Sequence, residues 1–274
     1  MPDLLDLASK FINTTNQNVF LTGKAGTGKT TFLKGLKEKT HKSFIIVAPT
    51  GIAALNAGGV TIHSQFLLPF GTHIPMDKPI GEVSEFANAY SQSTLRSRHP
   101  INSQRKKVLR AIDLLIIDEV SMLRADVLDA IDFRLKQAKS NYKEAFGGVQ
   151  VLFIGDLYQL SPVVKNEEQQ LLGQYYDSAF FYDALVMKSK PLVYIELEKI
   201  FRQSNQDFIQ VLNRIRANAI TEKDIDYLNQ FCAKDNSSKK DSILLTTHNR
   251  QADSVTEVEL EKLKDKAFYY KADV

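Results

Sequence analysis

Residues 23 to 31 read GKAGTGKTT, and Gly23, Gly28, Lys29 and Thr30 fit the spacing G-x-x-x-x-G-K-[ST]. Residue types in that order can hold a nucleotide phosphate. Glycines let backbone N–H groups wrap anionic oxygens, and a helix N-terminus behind them adds partial positive charge. The loop through Gly23, Ala25, Gly26, Thr27, Gly28, Lys29, Thr30 and Thr31 is therefore expected to bind a nucleotide phosphate. Lys29 would reach the β- and γ-phosphates and the Thr30 hydroxyl would bind Mg²⁺. A second chemical pair follows in DLLIIDE, 113–119, where apolar residues bring Asp118 to a strand end and Glu119 comes next. Asp118 can hold the Mg²⁺ shell, and Glu119 can orient and deprotonate a water attacking the γ-phosphate. That pair favours hydrolysis over transfer to a small-molecule acceptor. GDLYQLSP, 155–162, adds Gln159, which can hydrogen-bond the γ-phosphate or the water. Arg202, in LEKIFRQ, can stabilise charge on the γ-phosphoryl across a cleft, or sit on the surface as an ordinary arginine.

Such groups need a frame. Short continuous apolar runs occur at NVFLTG (18–23), SFIIVAPTG (43–51), DLLIIDE (113–119), VQVLFIGD (149–156) and PLVYIELEK (191–199). Runs of this kind suit strands covered on both faces. Helical patterns lie between them, at 29–39 and roughly 124–139, and Leu4, Leu5, Ala8, Phe11 and Ile12 make an amphipathic helix over 3–12. Strand alternating with helix predicts a parallel α/β sheet. The stretch 67–112 is too long for an ordinary connection and reads as an insertion, irregular at its LLPFGTHIPMDKPIG start. After Phe201 come helical patterns at 205–217 and 223–233, a loop at 236–242, a strand-like SILLTTHN at 242–249, a helix over about 251–264 and a final strand-like run at 267–274. The expected organisation is a first domain of 1–66 and 101–190, an inserted 67–100, and the start of a second α/β domain at 191–274.

Composition sets outer limits. The hydrophobic share of 43% supports a sizeable core, and a net charge of +3 says little by itself about a nucleic-acid partner. One cysteine, Cys232, excludes an intrachain disulfide and suits a reducing, intracellular compartment: cytoplasm in a bacterium, nucleus or mitochondrion in a eukaryote. No apolar run approaches the ~18 residues of a membrane span, and the N-terminus does not look like a signal peptide.

The ordered blocks GKAGTGKTT, APTGIAALNAGGVTIHSQF (48–66), IIDEVSM (116–122), GDLYQLSP and FRQ together resemble superfamily-one DNA helicases of the RecD-like branch, and within it the PIF helicase family. EVSMLRADVLDAIDFRLKQAK, 119–139, resembles the stretch that sets that family apart. The resemblance spans about 17 to 202. It implies a RecA-like P-loop fold and ATP-driven 5′-to-3′ movement on single-stranded DNA, with forked duplex as substrate and roles in replication, repair and genome maintenance. By position it implies adenine recognition by Gln17, coupling by Gln159, a γ-phosphate finger in Arg202 and a wedge in 67–100. The partners implied are single-stranded and forked DNA, no membrane, and a monomeric enzyme.

The APTG and TIHS segments are the ones that carry single-stranded DNA in that branch, so Pro49, Thr50, Gly51, Thr61, His63 and Phe66 are the candidate DNA residues. Thr50 and Gly51 can donate to phosphate. His63 and Phe66 can lie along bases or sugars, or fill the core. Two basic groups, RSRHPINSQRKKVLR (96–110) and the set Arg134, Lys136, Lys139 and Lys143, either attract the DNA backbone or form solvated helix faces. The sequence departs from the family where later motifs of the second motor domain are absent, which leads us to expect a truncated helicase. A AAA-type ATPase and a nucleotide- and DNA-binding module without turnover are the rival readings.

Overall fold

A computed structural model of the protein describes residues 4–77, 89–201, 203, 205–232, 243–263, 266, 268 and 270. The chain forms two compact units, Met1–Arg216 and Ala217–Val274. Along the first run α1 (Leu4–Thr14), β1 (Asn18–Gly23), α2 (Lys29–Lys39), β2 (Phe44–Ala48), α3 (Gly51–Ala57), β3 (Val60–Thr61), α4 (Ile62–Phe66), β4 (Thr72–Ile74), β5 (Ala89–Ser91), α5 (Gln92–Ser97), α6 (Ser103–Ala111), β6 (Leu114–Ile117), α7 (Ala125–Lys139), β7 (Gln150–Ile154), α8 (Asn166–Leu172), β8 (Leu192–Leu197) and α9 (Gln206–Arg216). The second holds α10 (Glu222–Asn229) and α11 (Asn249–Glu261).

The five apolar runs become β1, β2, β6, β7 and β8 of one parallel sheet, ordered β3-β2-β6-β7-β1-β8. Successive side chains leave opposite faces. Val19, Leu21, Ile116 and Leu152 meet Ala8 and Ile12 of α1 and Leu33 and Leu36 of α2 on one side. Phe20, Leu115, Ile117 and Phe153 meet Leu128, Ile131 and Leu135 of α7 on the other. Burial on both faces is why the β1, β6 and β7 runs are continuous, whereas the edge strand β8 alternates buried Ile195 and Leu197 with exposed Tyr194 and Glu196. A parallel sheet sends every strand's C-terminal end to one edge, so the segments after β1, β6, β7 and β8 collect there.

The boundary expected at 190/191 shifts. The run 191–199 is no opening of a second domain: β8 pairs with β1 from Asn18–Leu192 to Gly23–Leu197. The run SILLTTHN forms no strand over 243–248, where Ile243 and Leu245 are each 90% exposed. β-propensity needs a neighbouring ladder, and no strand occurs among the described residues of the second unit. Most of the run expected at 267–274 lies outside the described residues.

Helix α7 organises one face of the sheet. It is buried almost all round, polar residues included. Asp126, Asp129 and Asp132 recur every third residue, and each anchors a different segment. Asp126 accepts the His73 N–H at 2.8 Å and the Arg124 guanidinium. Asp129 accepts the N–H groups of Leu185 and Val186 and the Tyr176 hydroxyl. Asp132 accepts the Phe146 N–H at 2.6 Å and pairs with Lys136 at 2.7 Å.

Arg134, expected among surface cations, is 0% exposed. Its guanidinium donates to the carbonyls of Leu67 at 2.9 Å, Leu95 at 3.2 Å and His99 at 2.6 Å. Burial pushes its pKa down to about 10, so it stays charged at neutral pH. Lys139 is also structural, closing the carbonyls of Arg110 and Ile112 at 2.8 and 2.6 Å. In the 96–110 run, Arg96 pairs with Asp77 and covers the Phe133 ring, Arg105 donates to Gln65 and Arg110 donates to Ala138 O. Lys106 and Lys107 of that run, with Lys143, are exposed.

The stretches 67–77 and 89–100, expected in a separate insertion, belong to the first compact unit. β4 and β5 form a short parallel pair, and Leu68, Tyr90 and Leu95 enter the α7-side core. Arg134→Ala would strand the carbonyls of Leu67, Leu95 and His99. We expect a loss of about 3 kcal/mol or more, read as a lower urea midpoint at unchanged slope, whereas Lys143→Ala should cost less than about 0.5 kcal/mol.

Candidate nucleotide-binding and hydrolysis site

The phosphate loop follows from strand packing. β1 ends at Gly23 with φ of 147°, and a Cβ there would sit 2.5 Å from the Leu197 carbonyl oxygen. Only glycine lets β1 stay beside β8 while the chain turns out of the sheet. Lys29 opens α2 and folds back over the loop, donating to the carbonyls of Gly23 at 2.6 Å and Lys24 at 3.0 Å. Burial lowers the ammonium's pKa, and the charges of Asp156, Glu119 and Asp118 push the other way. Thr30 and Thr31 are exposed at the loop's helical end.

Asp118 leaves the end of β6 with its N–H on Val47 O at 2.9 Å and its Oδ1 accepting the Glu119 N–H at 3.0 Å. Glu119 is left-handed, with φ of 52° and ψ of 45°. A non-glycine residue there is uncommon, and the kink turns its side chain into the loop's cavity. Gly155, at the end of β7, permits that kink, because a Cβ would lie 2.9 Å from the Val120 nitrogen. Burial raises the pKa of both carboxyl groups, and Asp118 raises that of Glu119 further.

Glu119, Gln159 and the loop from Lys24 to Thr31 line one cavity of about 690 Å³. Among the lining residues not singled out from sequence are Asp156, Tyr158 and Arg216. Asp156 follows β7 and is 1% exposed, paired with the Arg216 guanidinium and accepting from Gln159 Nε2 at 3.1 Å. Burial works to raise its pKa, but bonds from Arg216 and the Tyr158 N–H hold it below the usual carboxylate range. Asp156 lay within the quoted GDLYQLSP block and could have been read as a second strand-end acid. Arg216 carries no local signal, since it is the last residue of an amphipathic helix.

Two expected nucleotide contacts stand differently. Gln17 precedes β1, at the opposite end of that strand from the loop, about 20 Å away at ~3.3 Å per residue. Its carbonyl accepts from Gln150 and it does not line the cavity. Gly23 lies six positions on, at the other end of β1, so the spacing that suggested an adenine contact instead places Gln17 at the far edge. Arg202 lies outside the described residues. Its neighbour Phe201 donates its N–H to Gly26 O at 2.8 Å, and its 62%-exposed ring lies at Gly28.

The candidate DNA residues cluster around α3 and α4. Thr50 and Thr61 cap these helices, accepting from the N–H groups of Ala53 at 3.2 Å and Ser64 at 3.4 Å. Pro49 is half-buried and Gly51 exposed. His63 is half-buried and stacks on Phe70, ring centres 5.1 Å apart at 24°. Burial lowers its pKa, keeping it neutral near physiological pH. Phe66 departs from expectation: it is 0% exposed and belongs to the α7-side core. Helical spacing turns it inward, and Phe70, 87% exposed, is the aromatic this surface presents instead.

Comparison with known proteins now adds to this geometry. The profile of the PIF1-like helicase family matches residues 4–226. The ATP-dependent DNA helicase Pif1 of Campylobacter jejuni is 29% identical over 265 residues, covering 94% of this chain and 54% of that protein. The ATP-dependent DNA helicase PIF1 of Saccharomyces cerevisiae is 32% identical over 212 residues, 75% of this chain and 22% of the yeast protein. The crystal structure of Pif1 helicase from Bacteroides in complex with ADP-AlF3 and ssDNA superposes with a TM-score of 0.83 at 41% identity, over 96% of this chain and 57% of that one. The chain thus spans about half the length of its bacterial relatives and less of the yeast one. Because the match runs from the first helix past the end of the sheet, and the fold agrees at 41% identity, the chain belongs to the PIF1-like helicase family.

Proposed function

We propose that this chain is the ATP-hydrolysing part of a DNA helicase that moves 5′ to 3′ on single-stranded DNA and opens forked duplex. The observation that carries the reading is the convergence of Lys29, Glu119 and Gln159 on one cavity at the C-terminal edge of the sheet. The site fits a Mg-nucleotide. Gly23 leaves room only for backbone, Lys29 supplies a cation already bound to oxygens, and Thr30 and Asp118 offer the oxygen donors a hard cation prefers. Mg²⁺, when bound, neutralises charge on the phosphates.

The chain's own residues divide the work. Lys29 exchanges the Gly23 and Lys24 carbonyls for phosphate oxygens. Glu119 accepts a proton from the attacking water, and Gln159 orients that water. Phe201, not Gln17, offers a flat exposed face for the adenine. Arg202, next in the chain, is retained as the γ-phosphate finger. On the second surface, Phe70 stacked on His63 makes a platform for a base, with the backbone around Thr50, Gly51 and Thr61 beside the sugar-phosphate chain. Residues 67–100 act as the wedge at the fork. A monomer and an intracellular setting complete the proposal; among the described residues, no helix is long and apolar enough to cross a membrane.

Hydrolysis of ATP stimulated by single-stranded DNA is the decisive measurement. Glu119→Gln should lower kcat by about 100-fold or more while nucleotide affinity stays within about twofold, and Lys29→Ala should lose nucleotide binding. ATPase without any response to DNA would defeat the motor reading. Because burial raises the Glu119 pKa above its ordinary 4.5, the base is lost as pH falls through that higher value. The acid limb of the rate profile should therefore sit above pH 4.5 and disappear in Glu119→Gln.

The two aromatic reassignments separate cleanly. Phe201→Ala should raise KM for ATP, with Gln17→Ala unchanged. Phe70→Ala should weaken single-stranded DNA binding by about 5- to 150-fold, the worth of ~1–3 kcal/mol of stacking, at an unchanged melting temperature. Phe66→Ala should instead lose about 3–5 kcal/mol of stability.

A further inference from the structure

Asp156 is nearly fully buried, and its Oδ2 holds two donors at once: Gln159 Nε2 at 3.1 Å and the Arg216 guanidinium. Its Oδ1 takes the Tyr158 N–H at 3.1 Å. The same guanidinium lies 4.3 Å from the centre of the Tyr158 ring. Arg216 therefore grips the turn from Asp156 to Gln159 twice, by charge at its first residue and by a cation–π contact at its third. Nothing in the hydrolysis steps above uses this grip. A pair so buried contributes little net stability, because desolvation offsets the attraction. Its value lies in what it does to the neighbouring Gln159.

We infer that Arg216 is a positioning residue that acts through Asp156 and frees Gln159 to distinguish a triphosphate from a diphosphate. The inference rests on the nucleotide reading above. Gln159 and Arg216 share one carboxylate oxygen, so Gln159 can turn to a phosphate oxygen only if that oxygen keeps another donor. Arg216 is that donor. Without it, the Gln159 amide is the remaining side-chain donor to a buried carboxylate, and the cost of unpairing the carboxylate holds it there. Arg216 is also the last residue of the first compact unit, so the grip stands where the chain passes to the next.

The test compares the affinities of the whole chain, with Mg²⁺, for ADP and for a non-hydrolysable ATP analogue. Wild type should prefer the triphosphate. Arg216→Met, which keeps the side-chain volume, should lose that preference by about tenfold, as Gln159→Ala does; Arg216→Lys, which keeps a cation, should retain most of it. Adding Asp156→Asn to Arg216→Met should restore the preference, because a neutral amide no longer traps Gln159. A merely structural role for Arg216 predicts the reverse, with the double variant worse than the single. Equal affinities in wild type, an intact preference in Arg216→Met, or further loss in the double variant would each overturn the inference. Should Arg216→Met not fold, Asp156→Asn alone decides: it should keep the preference, and loss there counts against the inference. If wild type binds neither nucleotide, or Lys29→Ala binds as well as wild type, the nucleotide reading itself fails.

Discussion

The first unit depends on the polar anchoring of helix α7. A helix buried on nearly all sides would ordinarily be apolar. Here Asp126, Asp129, Asp132 and Arg134 are all within its buried set. Each would be costly alone, and each is offset by partners fixed in place by the fold. The carboxylates hold the chain at 73, 146 and 185–186, and the guanidinium holds it at 67, 95 and 99. Short elements and loops, among them β4 and α5, are thus tied to one rigid element. The helix begins shortly after Glu119 and holds Leu67 at the end of α4, so the cavity-lining acid and the surface carrying His63 share a support.

The candidate nucleotide site is the other product of this packing. Parallel strands deliver Gly23, Asp118 and Asp156 to one edge, and two close backbone approaches hold them there, Gly23 against Leu197 and Gly155 against Val120. Burial then sets the chemistry. It lowers the pKa of Lys29 and raises that of Glu119, drawing both toward neutrality and increasing the strength of every charge around them. Charged groups gather where the backbone converges, and the stacked rings of His63 and Phe70 stand on α4 and the loop after it.

Much of this was legible in the chain. The phosphate loop, the strand-end acids and the five apolar strands are local patterns: a glycine spacing, an apolar run ended by acid, a continuous hydrophobic stretch. Local patterns survive folding because backbone geometry over a few residues decides them. The illegible parts are those where side-chain direction or distance matters. Phe66 and Phe70 lie close in the chain, and composition does not say which faces water. Arg134 looked like its neighbour Lys136, because a cation's burial depends on carbonyls dozens of residues away. Gln17 sat at a plausible spacing, but six residues of extended strand turn spacing into distance.

By itself, then, the order of residues determined the family and the sheet and supplied the proposed phosphate chemistry, since each rests on contiguous motifs. Tertiary structure alone decided that β8 closes the first sheet, that the acids and arginine of α7 are anchors rather than surface charge, and that Asp156 and Arg216 meet at the cavity of the glycine-rich loop. Those outcomes turn on pairings between residues 53, 60 and up to 174 positions apart, as for His73 and Asp126, Asp156 and Arg216, and Asn18 and Leu192. Partners so distant are chosen by packing, and no local pattern encodes which of many similar residues will be brought together.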